Sequence, residues 1–337
     1  MVVAIDFYQG RSVLVTGGNG FIGQRLVAAL QMKQARVRAL LRPGRIVPVE
    51  WQDIEIVHGD VTDVASLAEV CTGINTVFHV AGFAHADAAD TPEFAERHWA
   101  VNAQGSFNVL DAAVAAGVER LVFLSSAKAV GESDSYCVDE RWTVLPETPY
   151  GRAKRAAEAQ VLATGRTTGM HVVNLRPALV YGAGMKANLA RLIAAVHRGW
   201  LLPLPETGNC RSLVHIDDIV QALLLAAANP VAAGQTYFVT DGQTYSGCKL
   251  YSIICQASGR PVPRWAVPAS VLRGAAKLID ALRFLIGYRD QKAHLVLNKL
   301  LGWACYCSTR ISDELGYQPT WDFERFCATE LRKDLYK

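Results

Sequence analysis

The chain has 337 residues, of which 51% are hydrophobic, so it is long enough to bury a large core. Its 34 basic and 31 acidic residues leave a formal net charge of +3 without a long basic run, which argues against nucleic acid as a partner. Charged residues interrupt the apolar stretch 265–303, so the sequence predicts amphipathic helices there and no transmembrane segment.

The cysteines and the N-terminus indicate a compartment. Eight cysteines are scattered without a C-x-x-C pair, and only Cys305 and Cys307 lie close together, so neither a disulfide framework nor a metal site is indicated. The first ten residues lack the charged and then apolar pattern of a secretory signal. We therefore expect reduced thiols, no metal and a cytoplasmic protein.

A glycine-rich turn follows the first β-rich run of the chain. The run Ser12–Thr16 is apolar, the turn at 17–23 reads GGNGFIG, and a helical pattern continues to residue 31. Strand, glycine loop and helix in this order are typical of a dinucleotide site. Glycines let the backbone approach a pyrophosphate, and the helix N-terminus offers free amides to its charge.

The next strand, Arg36–Leu41, is followed by Arg42. A site that prefers NAD usually carries a carboxylate here to bind the ribose hydroxyls. A guanidinium is better suited to a 2′-phosphate, so Arg42 favours NADP(H), with NAD still possible. The alternative is that Arg42 is simply solvated at the end of a strand.

The third and fourth strands, at 54–61 and 76–82, also end in candidate binding residues. Asp60 leaves the third strand where it could bond an adenine amino group, and the fourth ends in Ala81 and Gly82. Small residues at the carboxyl end of a parallel strand leave room for a ligand. His79 lies within the apolar run, and we interpret it as a core histidine.

Further strands alternate with helices. A helical segment at 94–116 carries Asn102, a fifth strand at 120–126 ends in Ser125 and Ser126, and a sixth follows at 170–177. This alternation predicts βαβ units and a parallel sheet.

Tyr150 and Lys154 lie four residues apart in a helical segment, so they project from the same helix face. A neighbouring ammonium would lower the pKa of the phenol and make an acid/base pair, and the Ser126 hydroxyl could hold the same substrate oxygen. Alternatively, Tyr150 and Lys154 are an ordinary exposed pair, as most tyrosines and lysines at this spacing are.

The remaining chain predicts a helix at 188–197, a strand at 211–216, a helix to residue 228 capped by Asp217 and Asp218, and a strand at 236–240. We therefore predict an α/β fold, a Rossmann-like doubly wound parallel sheet with a smaller mixed C-terminal region. Residues 1–178 would form the NAD(P)-binding domain and 179–337 the substrate-binding region, with segments crossing back to the sheet.

Together these motifs resemble the extended short-chain dehydrogenase/reductase (SDR) family, in particular its NAD-dependent epimerase/dehydratase group, which acts on nucleotide sugars. The likeness covers nearly the whole chain, and several motifs in the correct order are more specific than any one. They are the turn at 16–23, Asp60-Val61, Ala81-Gly82, Asn102 before Gly105, Ser125-Ser126, Tyr150 with Lys154, Arg176-Pro177, the stretch 211–218, and Glu314-Leu315-Gly316-Tyr317 with Pro319.

The resemblance assigns roles to individual residues. It implies that Tyr150 is the catalytic acid/base, that Lys154 lowers its pKa and bonds the nicotinamide ribose, and that Ser126 holds the reacting oxygen. Asn188 and Arg211 match positions that contact the substrate near its diphosphate, for which the planar guanidinium is suited. The remaining cofactor-binding positions implied by the resemblance are Gly17, Gly20, Phe21, Ile22, Gly23, Asp60, Val61, Ala81, Gly82, Asn102 and Pro177.

A departure from the family pattern narrows the reaction. Family 4,6-dehydratases carry Asp-Glu directly after the catalytic hydroxyl residue, whereas Ala127 and Lys128 follow Ser126 here. Two reactions remain, 4-epimerisation of a UDP-sugar and NADPH-dependent reduction of a UDP-4-keto-6-deoxy-HexNAc. We favour the epimerase, although the missing carboxylate beside Arg42 speaks for the reductase. The stretches 125–132 and 186–188 are similar to bacterial enzymes of surface-polysaccharide biosynthesis.

Two alternatives stay open. The 3β-hydroxysteroid dehydrogenase branch shares the serine, the tyrosine and the lysine, and has a phrase like Tyr237-Phe238-Val239-Thr240-Asp241-Gly242. A non-catalytic NADP-sensing protein is also compatible with the fold, but it would have little reason to keep Ser126, Tyr150 and Lys154 together. Relatives often form homodimers through two long helices, here near 95–117 and 150–165.

Overall fold

The computed structural model describes residues 5–84, 91–133, 135–185, 188–285 and 292–331. The strands within these ranges are β1 Ser12–Thr16, β2 Arg36–Leu41, β3 Glu55–His58, β4 Thr76–His79, β5 Arg120–Leu124, β6 His171–Pro177, β7 Leu179–Tyr181, β8 Arg211–His215, β9 Gln235–Val239 and β10 Thr244–Tyr245.

Helices connect most of these strands. They are α1 Ile5–Tyr8, α2 Phe21–Met32, α3 Pro92–His98, α4 Gly105–Ala115, α5 Pro149–Thr168, α6 Asn188–His197, α7 Ile216–Ala228, α8 Gly247–Ala257, α9 Ala269–Leu285, α10 Lys292–Leu301, α11 Thr309–Leu315 and α12 Phe323–Phe326. A π-helix, Trp99–Gln104, joins α3 to α4. None of the described helices is long and apolar enough to cross a bilayer.

The main sheet has seven strands in the order β3-β2-β1-β4-β5-β6-β9, and all neighbours are parallel. The chain therefore reverses its direction of winding between β1 and β4, where open α/β sheets bind ligands. The predicted Rossmann-like sheet is confirmed. Strands at Ser12–Thr16 and Arg36–Leu41 have the predicted bounds, whereas the third and fourth strands are shorter than predicted.

Side-chain alternation along β1 explains why both faces of the sheet are covered. Val13 belongs to the same buried cluster as Leu26 of α2, whereas Leu14 belongs to another cluster with Val109 of α4 and Val161 of α5. Successive strand residues point to opposite faces, so one apolar strand serves two cores.

A smaller lobe follows the sixth strand. Its sheet has the order β10-β8-β7, in which β7 and β8 are parallel and β10 is antiparallel to β8. Tyr181, Leu213, Tyr245 and Phe323 share one buried cluster with residues of α6 and α8. The chain returns from this lobe to the main sheet through β9, which pairs with β6.

The structure corrects the capping role predicted for Asp217 and Asp218. His215 is the N-cap of α7, and its ring nitrogen Nδ1 accepts a hydrogen bond from the Asp217 amide at 3.3 Å. The buried Asp218 carboxylate instead accepts from the amide and hydroxyl of Thr320 and from the amide of Trp321, at 2.9 to 3.2 Å. Asp218 thus binds the segment at Thr320 and Trp321, about a hundred residues further along the chain, and a local sequence pattern cannot reveal such a contact.

The expectation that all thiols are reduced is also wrong. Cys137 and Cys305 form a disulfide, and the other six cysteines are free. The bond lies beside a short parallel bridge between Val138 and Tyr306, in which the Val138 amide donates to the Cys305 carbonyl at 3.0 Å. The two segments are paired through their backbones, so they bring both sulfurs together. The cysteines therefore give no support for a reducing compartment.

A buried ion pair joins α5 to β6. Arg176 donates from Nε and Nη2 to the two carboxylate oxygens of Glu158 at 2.8 and 2.7 Å, and both side chains are 3% exposed. Ser125, just after β5, donates to the same carboxylate at 2.6 Å. This bidentate, charge-assisted geometry ties three neighbouring elements together beneath the carboxyl edge of the sheet.

We expect the disulfide to be visible by mass spectrometry. Cells lysed in denaturant with an excess of alkylating reagent should give a chain that carries six modified cysteines, rising to eight after reduction. Proteolysis without reduction should release a linked pair of peptides that contain Cys137 and Cys305. Modification of all eight cysteines before reduction would show that the bond is absent.

The Glu158→Ala variant should be severely destabilised, by about 3–5 kcal/mol, because it leaves the buried Arg176 charge without its partner. Urea unfolding measures this loss. The matched control is Glu119→Ala, which removes an ion pair with Arg11 in which the glutamate side chain is 58% exposed. Its free energy of unfolding should change by less than about 1 kcal/mol. Equal losses in the two variants would contradict this assignment.

Candidate active site

The glycine turn after β1 forms a tight cradle at the switch point of the sheet. Gly17 has φ +68°, and a Cβ atom there would lie 2.8 Å from the Cα of Ala81. A Cβ at Gly23 would lie 2.2 Å from the Gly17 carbonyl oxygen. Gly20 is the N-cap of α2, so no side chain of the cap residue occupies the first amides of the helix. These residues fit a dinucleotide, since backbone amides and the helix dipole face the space where a pyrophosphate would bind.

His79 belongs to a buried hydrogen-bond chain beneath this cradle. Its ring bonds Thr16 Oγ1 at 2.7 Å and Ser106 Oγ at 2.9 Å, and Thr16 Oγ1 also accepts from the Ala81 amide at 3.1 Å. Burial, reinforced by the charge of Lys154, lowers the pKa of His79 to about 3. The interpretation of His79 as a satisfied core histidine is confirmed.

The ends of β2 and β3 form the side of the cradle for which adenine binding is predicted. Asp60 Oδ1 accepts from the Thr62 amide and hydroxyl at 2.9 and 2.8 Å. The buried Val61 lies against Gly105, and its carbonyl accepts from Asn108 at 2.8 Å. Arg42 follows β2 and is exposed. The binding roles of Arg42, Asp60 and Val61 stay predictions.

Asn102 holds the backbone after β4. It lies in the π-helix, where its Oδ1 accepts from the Phe83 amide at 2.9 Å and its Nδ2 donates to the Phe83 carbonyl at 3.0 Å. A Cβ at Gly82 would lie 3.1 Å from Asn102 Oδ1 and 3.5 Å from Lys154 Nζ. Asn102 thus shapes the wall predicted for the nicotinamide end of the cofactor.

The structure brings Ser126 and Tyr150 together, with the Ser126 side chain close enough to the phenol to lower its pKa. Gly151 allows the close approach, since a Cβ there would lie 2.3 Å from the Lys128 carbonyl. Helix α5 begins beside the turn Ala127–Ala129, with Thr148 accepting from the Gly151 amide at 3.1 Å. Ser126 is the N-cap of that turn, so helix and turn together position both hydroxyls.

The Lys154 ammonium is bonded to the backbone of β5. Its Nζ donates to the Leu124 carbonyl at 2.9 Å and lies 4.6 Å from the centre of the Phe123 ring. Burial lowers the pKa of Lys154 to about 8, while Glu158 one turn further along α5 opposes the shift. Glu158 therefore helps to keep the buried amine protonated.

The pKa of Tyr150 differs from the expectation. Burial raises it above the ordinary value, and the hydrogen bond from Ser126 only partly offsets the rise. Lowering by Lys154 was expected from the sequence, but burial dominates in this structure. The phenol is therefore protonated at neutral pH and is arranged as a proton donor, and it can act as a base only after it has lost its own proton.

Two more side chains at this site were not identified from the sequence. His98 lies edge-on to Tyr150 with ring centres 5.5 Å apart, and its Nδ1 lies 3.3 Å from Asn102 Nδ2. Glu158 was missed as well, although it continues the four-residue spacing of Tyr150 and Lys154 and lies on the same helix face. That spacing was an available signal for Glu158.

Arg211 lies in a second polar group, at the start of β8. Its Nη1 donates to the Gly302 carbonyl at 3.2 Å, and burial lowers its pKa against the opposing influence of Glu132 and Tyr306. Glu132 in turn pairs with Lys128, two residues after Ser126. Glu132 thereby connects the guanidinium to the turn that begins after Ser126.

The hydroxyl of Tyr306 is buried and has no hydrogen-bond partner among the described residues. Its ring stacks on Phe238 with centres 5.0 Å apart, which fixes the direction of the hydroxyl. Sequence patterns gave no signal for it, because residue 306 reaches Arg211 only through the fold. Asn188 begins α6, but its side chain lies outside the part that the structure describes. No cluster of His, Cys, Asp or Glu in the described ranges is arranged to hold a metal ion.

Curated relatives span most of this chain. It is 30% identical over 324 residues to the 3 beta-hydroxysteroid dehydrogenase/Delta 5-->4-isomerase of Mycobacterium tuberculosis, covering 91% of this chain and 86% of the relative. It is also 30% identical over 285 residues to the UDP-glucose 4-epimerase of Vibrio cholerae, covering 81% and 85%.

Solved structures also match most of this chain. DesIV, a dTDP-glucose 4,6-dehydratase from Streptomyces venezuelae solved with NAD bound, superposes with a TM-score of 0.74 at 26% identity, covering 95% of this chain and 96% of that one. MoeE5, solved with UDP-glucuronic acid and NAD, gives 0.75 at 25% identity, covering 97% and 100%. The model of the NAD dependent epimerase/dehydratase family matches residues 13–240. The chain therefore belongs to the NAD-dependent epimerase/dehydratase family of extended SDR enzymes.

Proposed function

We propose that this protein is an NAD(P)-dependent 4-epimerase of a nucleotide-linked sugar, with a UDP-sugar as the substrate class. The observation that carries the proposal is the proximity of the Ser126 and Tyr150 side chains, beside a lysine that faces the glycine-lined wall at Gly82. Bound NAD(P) supplies a hydride acceptor and donor for the carbinol carbon. Residues 1–178 hold this cofactor and 179–337 hold the sugar nucleotide.

Within the site the residues divide the proton chemistry. Ser126 holds the C4 oxygen of the sugar, the phenolate form of Tyr150 accepts its proton on oxidation, and the resulting phenol returns that proton on reduction. Lys154 places a positive charge next to the ribose hydroxyls of the cofactor and favours the phenolate when the proton has left. Ala127 and Lys128 stand where elimination would need an acid and a base, and Lys128 is engaged by Glu132, so the site is suited to oxidation and reduction only.

Arg211 and Tyr306 provide the contact for the diphosphate. The guanidinium can bond two phosphate oxygens at once, and the partnerless Tyr306 hydroxyl offers another donor. Asn188 is proposed to bind nearby. The structural neighbour MoeE5 was solved with UDP-glucuronic acid, which supports a uridine diphosphate as the ligand class.

An NADPH-dependent ketoreductase is the alternative function for the same site. Exposed Arg42 after β2 favours a 2′-phosphate, and a reductase exchanges its cofactor in each turnover. An epimerase instead retains the cofactor while the keto-sugar intermediate rotates in the site and presents its other face to the cofactor. Identification of the nucleotide released by denaturation separates them, with bound NAD expected for the epimerase and an empty NADPH-binding site for the reductase.

A 3β-hydroxysteroid dehydrogenase is the second candidate, favoured by the mycobacterial relative that covers 91% of the chain. The motif at 237–242 that is similar to the hydroxysteroid dehydrogenases has a structural role here, however. Buried Asp241 accepts hydrogen bonds from the hydroxyls of Tyr181 and Tyr245 at 3.1 and 2.9 Å. A steroid would also leave Arg211 without a phosphate, so the nucleotide sugar is preferred.

The assembly and compartment follow from the same proposal. A hollow of about 500 Å³ between α3, the π-helix and α5 is lined by Trp99, Pro149 and Arg152, among others. Half-exposed Trp99 lies on the face through which the resemblance predicts a homodimer.

Nucleotide sugars and nicotinamide nucleotides are cytoplasmic metabolites, so the proposed reaction favours a cytoplasmic protein.

The Tyr150→Phe variant should lose turnover of UDP-hexoses by about 10² to 10⁴-fold, since positioned proton transfer contributes that much. Its affinity for NAD should stay within about threefold of wild type, because the phenol oxygen is not needed to hold the dinucleotide. Steady-state epimerisation and cofactor fluorescence titration measure the two quantities.

The matched control is Tyr251→Phe, in which the lost hydroxyl donates to the Leu201 carbonyl in the smaller lobe. This variant should keep wild-type turnover. Unchanged turnover in Tyr150→Phe would remove the catalytic assignment and leave the NADP-sensing alternative in its place.

A further inference from the structure

Helix α9 presents an apolar face to solvent. Its inner side contributes Leu272 and Ala276 to a small cluster with α10, and Asp280 accepts from the amides of Ala293 and His294 at 2.9 Å. The opposite side, at the spacing of one helix face, is 54% to 79% exposed in its large residues, which are Val271, Leu278, Leu282 and Leu285. A helix of a globular protein normally shows the reverse arrangement.

Two tryptophans, one of them four residues before α9, are exposed as well. Trp265 is 61% exposed and Trp200 is 74% exposed. Their segments are tied together, because the Val267 amide donates to the Pro203 carbonyl at 3.1 Å and Arg260 donates to the His197 carbonyl at 3.1 Å. We call the surface formed by Trp200, Trp265 and the outer side of α9 the apolar ridge.

The ridge carries positive charge. Residues 258–285 include five basic side chains and one acidic one, Asp280, which is already bonded to α10. Arg273 and Lys277 are exposed on α9, and Arg198 lies 4.9 Å from the ring centre of Trp200. Tryptophan with neighbouring basic residues is typical of protein surfaces that meet lipid headgroups.

These features select one occupant. A two-fold contact between copies would set the basic residues of one ridge against those of the other, which is unfavourable. Anionic lipid complements both the charge and the apolar side chains. The 17 residues of α9 span roughly 25 Å, long enough for an in-plane helix to bury its apolar side in one leaflet.

We propose that the apolar ridge docks on the surface of an anionic membrane, with α9 lying in the plane of the interface. The docked surface is close to the substrate region, since α10 leads directly to Gly302, whose carbonyl accepts from Arg211. The proposal does not depend on which alcohol the active site oxidises.

Vesicle co-sedimentation of the full chain tests the proposal. Wild type should sediment with vesicles of equimolar phosphatidylglycerol and phosphatidylcholine, and binding should weaken at least tenfold with phosphatidylcholine alone. The double variant Leu278→Gln, Leu282→Gln and the double variant Arg273→Gln, Lys277→Gln should each lower binding to the anionic vesicles at least tenfold. Urea unfolding confirms that these surface variants stay folded.

The matched control is the pair Ile46→Gln and Val231→Gln, which removes two exposed apolar side chains outside the ridge. It should leave vesicle binding unchanged. Absence of wild-type binding to the anionic vesicles, or an equal loss in the control, would overturn the proposal. Light scattering adds a separate check, because a lower mass for the Leu278, Leu282 variant without a lipid effect would identify the ridge as a subunit contact.

Discussion

The buried charge of Lys154 is the constraint on which the active site depends. A protonated amine removed from water needs a compensating carboxylate, and Glu158 supplies it from the next turn of the same helix. Glu158 is in turn held by Arg176, in β6, and by Ser125, which follows β5. The network that compensates the buried charge of Lys154 therefore also sets the distance between α5 and the sheet. That distance in turn brings Tyr150 close to Ser126.

Backbone geometry completes this arrangement. Gly151 leaves room for the turn that follows Ser126, and Gly17 leaves room for the backbone after β4, so two glycines bring the segments with the proposed catalytic and cofactor-binding roles into contact. The pKa of Tyr150 is raised by burial in that closed site, which keeps the phenol protonated and ready to donate its proton. Stability and acid/base chemistry are thus set by the same packing.

The main sheet and the cofactor cradle could be predicted because their signals are local. The apolar runs of β1 and β2, the glycine turn and the spacing of Tyr150 and Lys154 each lie within a few residues. Contacts between distant segments could not be predicted. Asp218 binds Thr320, Cys137 bonds Cys305 and Tyr306 stacks on Phe238, and nothing in the local pattern of either partner indicates the other. The capping and thiol predictions failed for this reason.

The identity of the substrate is the central claim, and melting in the presence of ligands tests it most directly. UDP at about a hundredfold excess over its dissociation constant should stabilise the wild type by about 2.7 kcal/mol and raise the melting temperature accordingly, whereas a 3β-hydroxysteroid should not. Arg211→Ala, compared with its own unliganded melting temperature, should lose the UDP effect. Stabilisation by the steroid and not by UDP would contradict the account.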